Sequence, residues 1–343
     1  MPKSLSSQPM YSRPVSALAL LSGGLDSALA IHLVKRQGID VTALHFPSFF
    51  SSLDPTGKDS PVQALAENLE VPLILMPKGD DFLEIIRHPR YGWGKNLNPC
   101  IDCRIYTFVK AKKLMEEMGA SFIVTGEVAG QRPMSQRKDA MRLIDKRSGC
   151  EGIILRPLSA KALPATVPET DGLVDREQLL AVTGRGRKTQ LALAHELGLK
   201  GYSPPAGGCL LTDPGFARRL RDLLDDREDV SKSDLKLLRM GRHIRLRPGL
   251  KIVVGRNEDE NNRISDLASG ATLFAPNGFP GPVILALGEP EPQEEFLIGS
   301  ILRRYVKESA RGKSIEIRSP DGSYRVAQVS DVAQEDWIAE RMI

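Results

Sequence analysis

The sequence predicts an α/β protein: a parallel sheet with helices on both faces, followed by a smaller α+β module. Three observations carry this. Short apolar runs alternate with amphipathic segments from Val15 to about Gly126, the pattern of strands joined by crossover helices. A glycine pair in "LLSGGLDSA" (Leu20–Ala28) joins the first run to the first amphipathic segment. After about Ser231 the pattern changes to strand-like runs with a single long helical pattern.

"VSALALLSGG" is an apolar run ending in Ser-Gly-Gly, a buried strand and its turn. "LDSALAIHLVKRQG" follows as a helix: Leu25, Ala28, Leu29, His32 and Leu33 recur at helical spacing, and Gly38 is a C-terminal stop. "IDVTALHF" is the second strand, "SPVQALAENLE" a helix, "VPLILMP" a strand and "DDFLEIIRH" a helix. "DCRIYTFVKAKKLMEEMG", from Asp102, is an amphipathic helix, and "SFIVTG" the next strand. Between Ser148 and Tyr202, helical patterns are expected around Arg176–Val182 and Arg185–Leu197. "GYSPPAGGCLLTDPG" is loop chemistry, "FARRLRDLLDD" a helix, and the charged Asp225–Asp234 a linker. "RHIRLRPGLKIVVGRN", "ATLFAP", "PVILALG", "KSIEIRS" and "SYRVAQVS" read as strands, and "EEFLIGSILRRYVKES" as a helix. The expected organisation is a disordered tail over 1–13, a catalytic domain over 14–228 and an α+β module over 229–343.

With 343 residues, 41% hydrophobic and 26% charged, the chain can bury a sizeable core in two domains. No run of about 18 apolar residues is present, so no transmembrane helix and no membrane partner are expected. The polar start "MPKSLSSQPMYSRP" lacks the apolar core of a signal peptide. Four cysteines do not make a disulfide framework, which predicts reduced thiols in a cytoplasmic protein. The net charge of +4 is compatible with nucleic acid without pointing to it.

The glycine turn carries the first chemical signal. Gly23 and Gly24 permit positive φ and keep side chains away from a ligand. Successive N–H groups and the helix N-terminus then converge on an anion, with Ser22 and Ser27 as hydroxyl donors. No Gly-Lys-Ser/Thr follows, so this is not a Walker A loop. The alternative is a tight turn with Asp26 or Ser27 as a helix cap.

"NPCIDCR" carries the second, placing Cys100 and Cys103 three apart, with Cys209 distant in "PPAGGCLLTD". Three readings stand: a thioredoxin-like pair activated at a helix N-terminus, structural zinc, which lacks an evident fourth ligand, or an iron–sulfur cluster on three cysteines with one iron open. A persulfide on Cys209, resolved by Cys100 or Cys103, is a cluster-free version of the chemistry. Cys150 is assigned to the core.

"SGGLDS" resembles the PP-loop of the ATP pyrophosphatase superfamily, with its Rossmann-like fold. The resemblance implies cleavage of ATP between the α and β phosphates to leave an adenylated substrate. Ser22, Gly23, Gly24 and Ser27 would hold the pyrophosphate, and Asp26 would act through Mg2+ or by orienting the site. "IVTGEVAGQRPMSQRKDAMRLIDKRSGCEGIILRPL" (Ile123–Leu158) is similar to the PP-loop domain of tRNA 4-thiouridine synthetases, a layout shared by 2-thiouridine-forming enzymes. Thr125, Gly126, Gly130 and Gln131 are then candidates to touch nucleotide or base, as are His45 and Phe46, where related folds place adenine, and Arg104. One branch of these thiolases has a Cys-x-x-Cys, a distant Cys and a 4Fe-4S cluster, which implies Cys100, Cys103 and Cys209 as ligands.

The implied activity is ATP-dependent tRNA sulfur transfer: a uridine carbonyl oxygen is adenylated, then replaced by sulfur from sulfide or a sulfur-donor protein. An adenylating enzyme with another substrate and a non-catalytic RNA-binding protein are the alternatives. A homodimer is one candidate assembly.

Family members of the usual kind carry an N-terminal THUMP region, whereas only about 14 residues precede the first strand here. "GRHIRLRPGLKIVVGRNEDENNRI" (Gly241–Ile264) is similar to NFACT-R-type RNA-binding domains and could supply tRNA capture. Arg242, His243, Arg245, Arg247, Lys251 and Arg256 are its candidate contacts. Strand alternation would put Arg245 and Arg247 on one face, with a solvated face as the alternative. "RGRK" (Arg185–Lys188) is a candidate contact to tRNA backbone, or to water alone.

Overall fold

A computed structural model describes residues 15–51, 61–203 and 209–343. The expected 1–13 tail and the "PPAGG" stretch (204–208) lie outside the described residues. The chain divides into two compact units, 1–210 and 211–343.

The first unit runs β1 (Ser16–Leu20), α1 (Leu25–Lys35), β2 (Asp40–His45), α2 (Pro61–Asn68), β3 (Leu73–Leu75), α3 (Asp81–Arg87), α4 (Cys100–Met118), β4 (Phe122–Thr125), α5 (Lys138–Arg147), β5 (Ile154–Leu155), α6 (Val167–Thr170) and α7 (Lys188–Glu196). The strands pair in parallel in the order β3-β2-β1-β4-β5. This is the doubly wound α/β arrangement the sequence predicts. Alternation along β1 shows how one strand serves two cores: Ala17, Ala19 and Leu21 pack with α1 and α2, while Leu18 and Leu20 pack with Phe108, Ala111 and Met115 of α4 and Ile144 of α5. The strand order reverses between β1 and β4, so the loops leaving their C-terminal ends diverge and open a crevice, the usual ligand position in such sheets.

Two local expectations change. Helix α4 begins at Cys100 rather than near Asp102, so the cysteine pair lies within its first turn. The helix expected around Arg176–Val182 is only a 3-10 turn over Arg176–Gln178, where Arg176 is tied to Glu169 and to the Ala160 and Leu163 carbonyls.

The second unit comprises α8 (Pro214–Asp226), α9 (Lys232–Leu237), β6 (Arg242–Arg247), β7 (Leu250–Val254), α10 (Glu258–Asp266), β8 (Thr272–Pro276), β9 (Ile284–Leu287), α11 (Pro292–Arg304), β10 (Ser314–Arg318), β11 (Tyr324–Gln328) and α12 (Glu335–Ala339). Its antiparallel sheet has the order β11-β10-β8-β9-β7-β6. One face packs against Ile298, Ile301 and Leu302 of α11 and the other against Leu237 and Ile264 of α9 and α10.

The division falls at 210/211 rather than at the expected 228/229, and α8 belongs to the second unit. The charged stretch read as a linker is structural. Asp222 holds Arg245 and Lys251, Asp226 holds Arg245, and Asp234 closes a capping box with Ser231 at the start of α9.

Candidate nucleotide site

The loop between β1 and α1 is shaped by its own small residues. Gly23 has φ +83°, a conformation that disfavours side chains. The Ser27 hydroxyl donates to the Gly24 carbonyl at 2.8 Å and accepts from the Ser22 N–H at 3.2 Å. The Ser22 and Ser27 hydroxyls are 3.1 Å apart. Both are therefore anchored within the turn, next to the N-terminus of an 11-residue helix. Ser203 N–H donates to the Gly23 carbonyl at 2.8 Å, tying a later segment to the turn.

The loop after β4 closes against this turn. A Cβ on Gly126 would stand 2.4 Å from Ser27 N and 2.5 Å from the Asp26 carbonyl oxygen, so only glycine fits. That close approach gives Gly126 a packing role beside any contact with nucleotide. Thr125 is buried at the end of its strand. Gln131 Nε2 donates to Asp26 Oδ2 at 2.8 Å, and Arg187 Nη2 lies 3.1 Å from the same oxygen. Asp26 Oδ1 is buried with no hydrogen-bond partner among the described residues. A buried carboxylate oxygen without a donor fits a cation-binding role. Gly130, with φ +79°, packs its Cα region near Gly184.

His45 and Phe46 are positioned by packing. The His45 ring nitrogen Nδ1 donates to the Leu21 carbonyl at 2.8 Å, and burial lowers the ring's pKa. Phe46 packs against the cluster containing Leu18 and Leu20.

The Glu, Asp and Arg of "VTGE", "RLID" and "LRPL" form one buried ion-pair network. Arg156 Nη1 and Nη2 grip both oxygens of Asp145 at 2.8 and 2.6 Å, and its Nε donates to Glu127 Oε2 at 3.0 Å. Burial opposes the charge on Arg156, but Glu127 and Asp145 outweigh it and hold its pKa above the ordinary guanidinium value. Glu127 Oε1 lies 3.3 Å from Arg104 Nε, so the network also fastens α4, one residue past Cys103. The sequence carried these residues as part of a motif; their mutual pairing is visible only in three dimensions.

Cys100 and Cys103 open α4, and Cys103 N–H donates to the Pro99 carbonyl at 2.8 Å. Lys78 Nζ donates to Cys103 Sγ at 2.9 Å and lies 4.0 Å from the Phe82 ring centroid. Cys209 pairs with Ser51 in a β-bridge, and its Sγ lies 3.9 Å from Asn98 Oδ1. The fold thus brings Cys209 to the residue two before Cys100. Among the described residues, no three His, Cys, Asp or Glu side chains form a metal-holding group. Cys150 is buried in the α4 core, where burial raises its pKa. Arg187 was read only within "RGRK" as a candidate contact to tRNA backbone, and Lys78 and Gln190 were not read as site residues; a lysine in a loop and a Gln on a helix give no local signal.

Residues 14–162 match the family model described as thiamine biosynthesis protein (ThiI). The match runs from β1 through β5 of the first unit. Residues 241–341 match the model described as NFACT protein RNA binding domain. Among curated relatives of the chain, a tRNA-specific 2-thiouridylase MnmA of Desulfosudis oleivorans is 30% identical over 119 residues, 34% of this chain and 32% of that protein. Another, of Desulforamulus reducens, is 24% identical over 230 residues, 61% of this chain and 58% of that protein. A probable tRNA sulfurtransferase of Thermococcus kodakarensis is 27% identical over 144 residues, 41% of this chain and 36% of that protein. The chain therefore spans between about a third and three-fifths of the length of these relatives. The matched segment contains the glycine turn, the Asp26–Gln131 contact and the whole Arg156 network. No helix among the described residues is long and apolar enough to cross a membrane.

Proposed function

We propose that the protein is an ATP-dependent tRNA sulfurtransferase of the cytoplasm. The observation that carries this is the meeting of Asp26 and Gln131 at the strand-order reversal, where two motif loops present a partly buried, half-satisfied carboxylate beside a glycine-lined helix N-terminus. Backbone N–H groups of the turn, with Ser22 and Ser27, bind the β and γ phosphates. Mg2+ held by Asp26 would neutralise phosphate charge. Thr125, Gln131, His45, Phe46 and Arg104 border the nucleoside and the target base. A uridine carbonyl oxygen attacks the α phosphorus, its bond to that phosphorus forms, and the bond to the leaving pyrophosphate breaks. Sulfide then adds at the same carbon and AMP departs with the former carbonyl oxygen, leaving thiouridine. The chain's contribution is positioning and charge stabilisation. The second unit supplies RNA affinity.

Cys100, Cys103 and Cys209 would supply soft thiolate donors to an iron–sulfur cluster, a reading supported by the approach of Cys209 to Asn98, two residues before Cys100. Such a cluster, 4Fe-4S with three protein ligands, would supply an open iron position for sulfide. The Lys78–Cys103 contact supports a second reading, a persulfide pathway through the same thiols, because it sets a positive charge against sulfur. Anaerobic purification with iron, sulfide and zinc analysis separates the two. About four irons per chain, lost on substituting Cys100, Cys103 or Cys209, supports the cluster; a metal-free protein active with a sulfur-donor protein supports the persulfide.

The test of the function itself is pyrophosphate release from ATP with and without tRNA. Stimulation by tRNA, with AMP and thiouridine formed together, is the expected result. Release that ignores tRNA would assign the adenylating site to another substrate.

A further inference from the structure

The segment between α3 and α4 (88–99) is a loop with a framework of its own. The Trp93 indole N–H donates to the Ile86 carbonyl at 2.8 Å, and the Gly94 N–H to the Asn98 carbonyl at 2.8 Å. Asp102, between the two cysteines of "NPCIDCR", accepts from the Arg90 and Tyr91 N–H groups at 3.2 and 3.0 Å. A Cβ on Gly94 would stand 2.6 Å from the Met134 sulfur, so the loop also packs on the segment after β4. It is thereby fixed both to the first turn of α4, where the thiols lie, and to the second motif loop.

Trp93 is 45% exposed although its only polar group is already bonded, which leaves the ring for an outside partner. Between Glu84 and Asp102 the chain has no acidic residue, and Arg87, Arg90 and Lys95 fall in that interval. Arg87 lies 3.6 Å from Glu84. The Arg90 guanidinium lies 5.8 Å from the Tyr91 ring centroid, and among the described residues neither Arg90 nor Lys95 has a carboxylate partner. A lone exposed tryptophan means little. One flanked by two unpaired cations on an ordered loop fits a stacked base with phosphates held on either side.

We infer that the 90–95 loop receives an unpaired stretch of the RNA substrate: a base stacks on Trp93, and Arg90 and Lys95 meet the flanking phosphates. This inference deepens the sulfurtransferase reading and rests on it. A base inside a helix offers no face to an aromatic side chain, and a uridine there is equally closed to chemistry. Holding a neighbouring nucleotide on a loop pinned by Asp102 keeps the opened strand beside Cys100 and Cys103. An acidic protein surface would satisfy the cations, but it does not account for an aromatic face held open by its own hydrogen bond.

The chain has two tryptophans, which supplies a local probe. Trp337 is half-buried, with its ring centroid 4.2 Å from Arg341 Cζ, and Trp337→Phe leaves Trp93 as the one indole reporter in the full chain. A short single-stranded RNA should quench Trp93 emission in that variant, and an RNA duplex of the same length should not. Trp93→Ala should weaken single-stranded RNA about tenfold. Arg90→Gln combined with Lys95→Gln should lower the salt slope of binding by about 1.4, the worth of two phosphate contacts on a single strand. If Trp93→Ala does not fold, the quenching decides the matter. Absent quenching, with single-stranded affinity unchanged in Trp93→Ala, overturns the inference. Equal quenching by duplex overturns it too, as does equal quenching by poly-glutamate, which would assign the loop to an acidic protein. Pyrophosphate release from the same preparations keeps the two readings apart. Release stimulated by tRNA in protein whose Trp93 ignores RNA overturns this inference alone. Quenching without any stimulated release supports the RNA contact and sinks the sulfurtransferase reading.

Discussion

The crevice of the first unit and the basic hairpin of the second use charge in opposite ways. At the crevice, Arg187 and Gln131 meet one oxygen of Asp26, Gln190 backs Gln131, and the other carboxylate oxygen has no partner among the described residues. In the hairpin nearly every cation has its own partner. Arg245 is held by Asp222 and Asp226, Lys251 by Asp222, Arg247 by Glu294 and Arg256 by Glu260, while Arg242 lies 4.7 Å from the Tyr305 ring centroid. His243 is buried, with Nε2 near the Leu237 and Met240 carbonyls. The expected common face of Arg245 and Arg247 is also broken by a register shift between them, which sends them to different helices. A run of arginines in sequence is therefore not a free positive surface. Charge signals a ligand site where burial leaves it unbalanced.

This contrast can be broken or sharpened experimentally, starting with the largest effect. Asp26→Ala should reduce ATP-dependent pyrophosphate release by at least about a hundredfold, since it removes the centre on which the crevice converges. A variant with near-normal release would make the crevice as structural as the hairpin. Arg156→Met should cost about 3–5 kcal/mol in urea unfolding, because Glu127 and Asp145 would be left buried without their counter-ion. If the loss is below about 1 kcal/mol, the network is not the brace between α4, β4 and β5 that its geometry implies.

Gly126→Ala should weaken ATP by about tenfold or more, and cost roughly 1–3 kcal/mol, by forcing the two loops apart. Tight ATP binding by a folded Gly126→Ala protein would show that the close approach is dispensable.

The hairpin predicts a pH effect. Burial drives the pKa of His243 down to about 3, with Lys251 and Arg219 adding repulsion. The folded state keeps this ring neutral while the unfolded chain protonates it near pH 6.5. Stability is thus full above that value and falls as pH drops toward the folded pKa. Between pH 6.5 and 5 the loss should be about 2 kcal/mol, and His243→Gln should flatten that part of the curve. Identical slopes in both proteins would mean that His243 titrates normally. The smallest effect is expected from Arg247→Gln, which should change tRNA affinity by less than about threefold and leave its salt dependence nearly unchanged. A clear drop in the salt slope would show that the Arg247–Glu294 pair opens onto RNA.

Much of the first unit was legible because its signals are local. The period of apolar residues fixes strands and helices, and "SGGLDS" states a turn that only small residues can make. The second unit's strands were equally visible, but the fate of its charges was not. The start of α4 shifted by about two residues because Pro99 and Cys100 carry no strong N-terminal signal. The charged stretch Asp225–Asp234 read as a linker because the partner of Asp226 is distant in sequence: it meets Arg245, 19 residues further on, beside Asp222 of the same helix, which holds Arg245 and Lys251.

By itself the sequence determined the alternating α/β architecture, the glycine turn, the order of the two motif loops and the cysteine spacing, because each depends on residues within a few turns of chain. Tertiary structure alone decided which carboxylate stays half-satisfied, that "VTGE", "RLID" and "LRPL" share one ion-pair network, and that Arg187 comes to Asp26 across 161 positions. The physical reason is that hydrogen bonding and burial, unlike backbone propensity, depend on partners the chain meets only after the sheet has brought its C-terminal edges together.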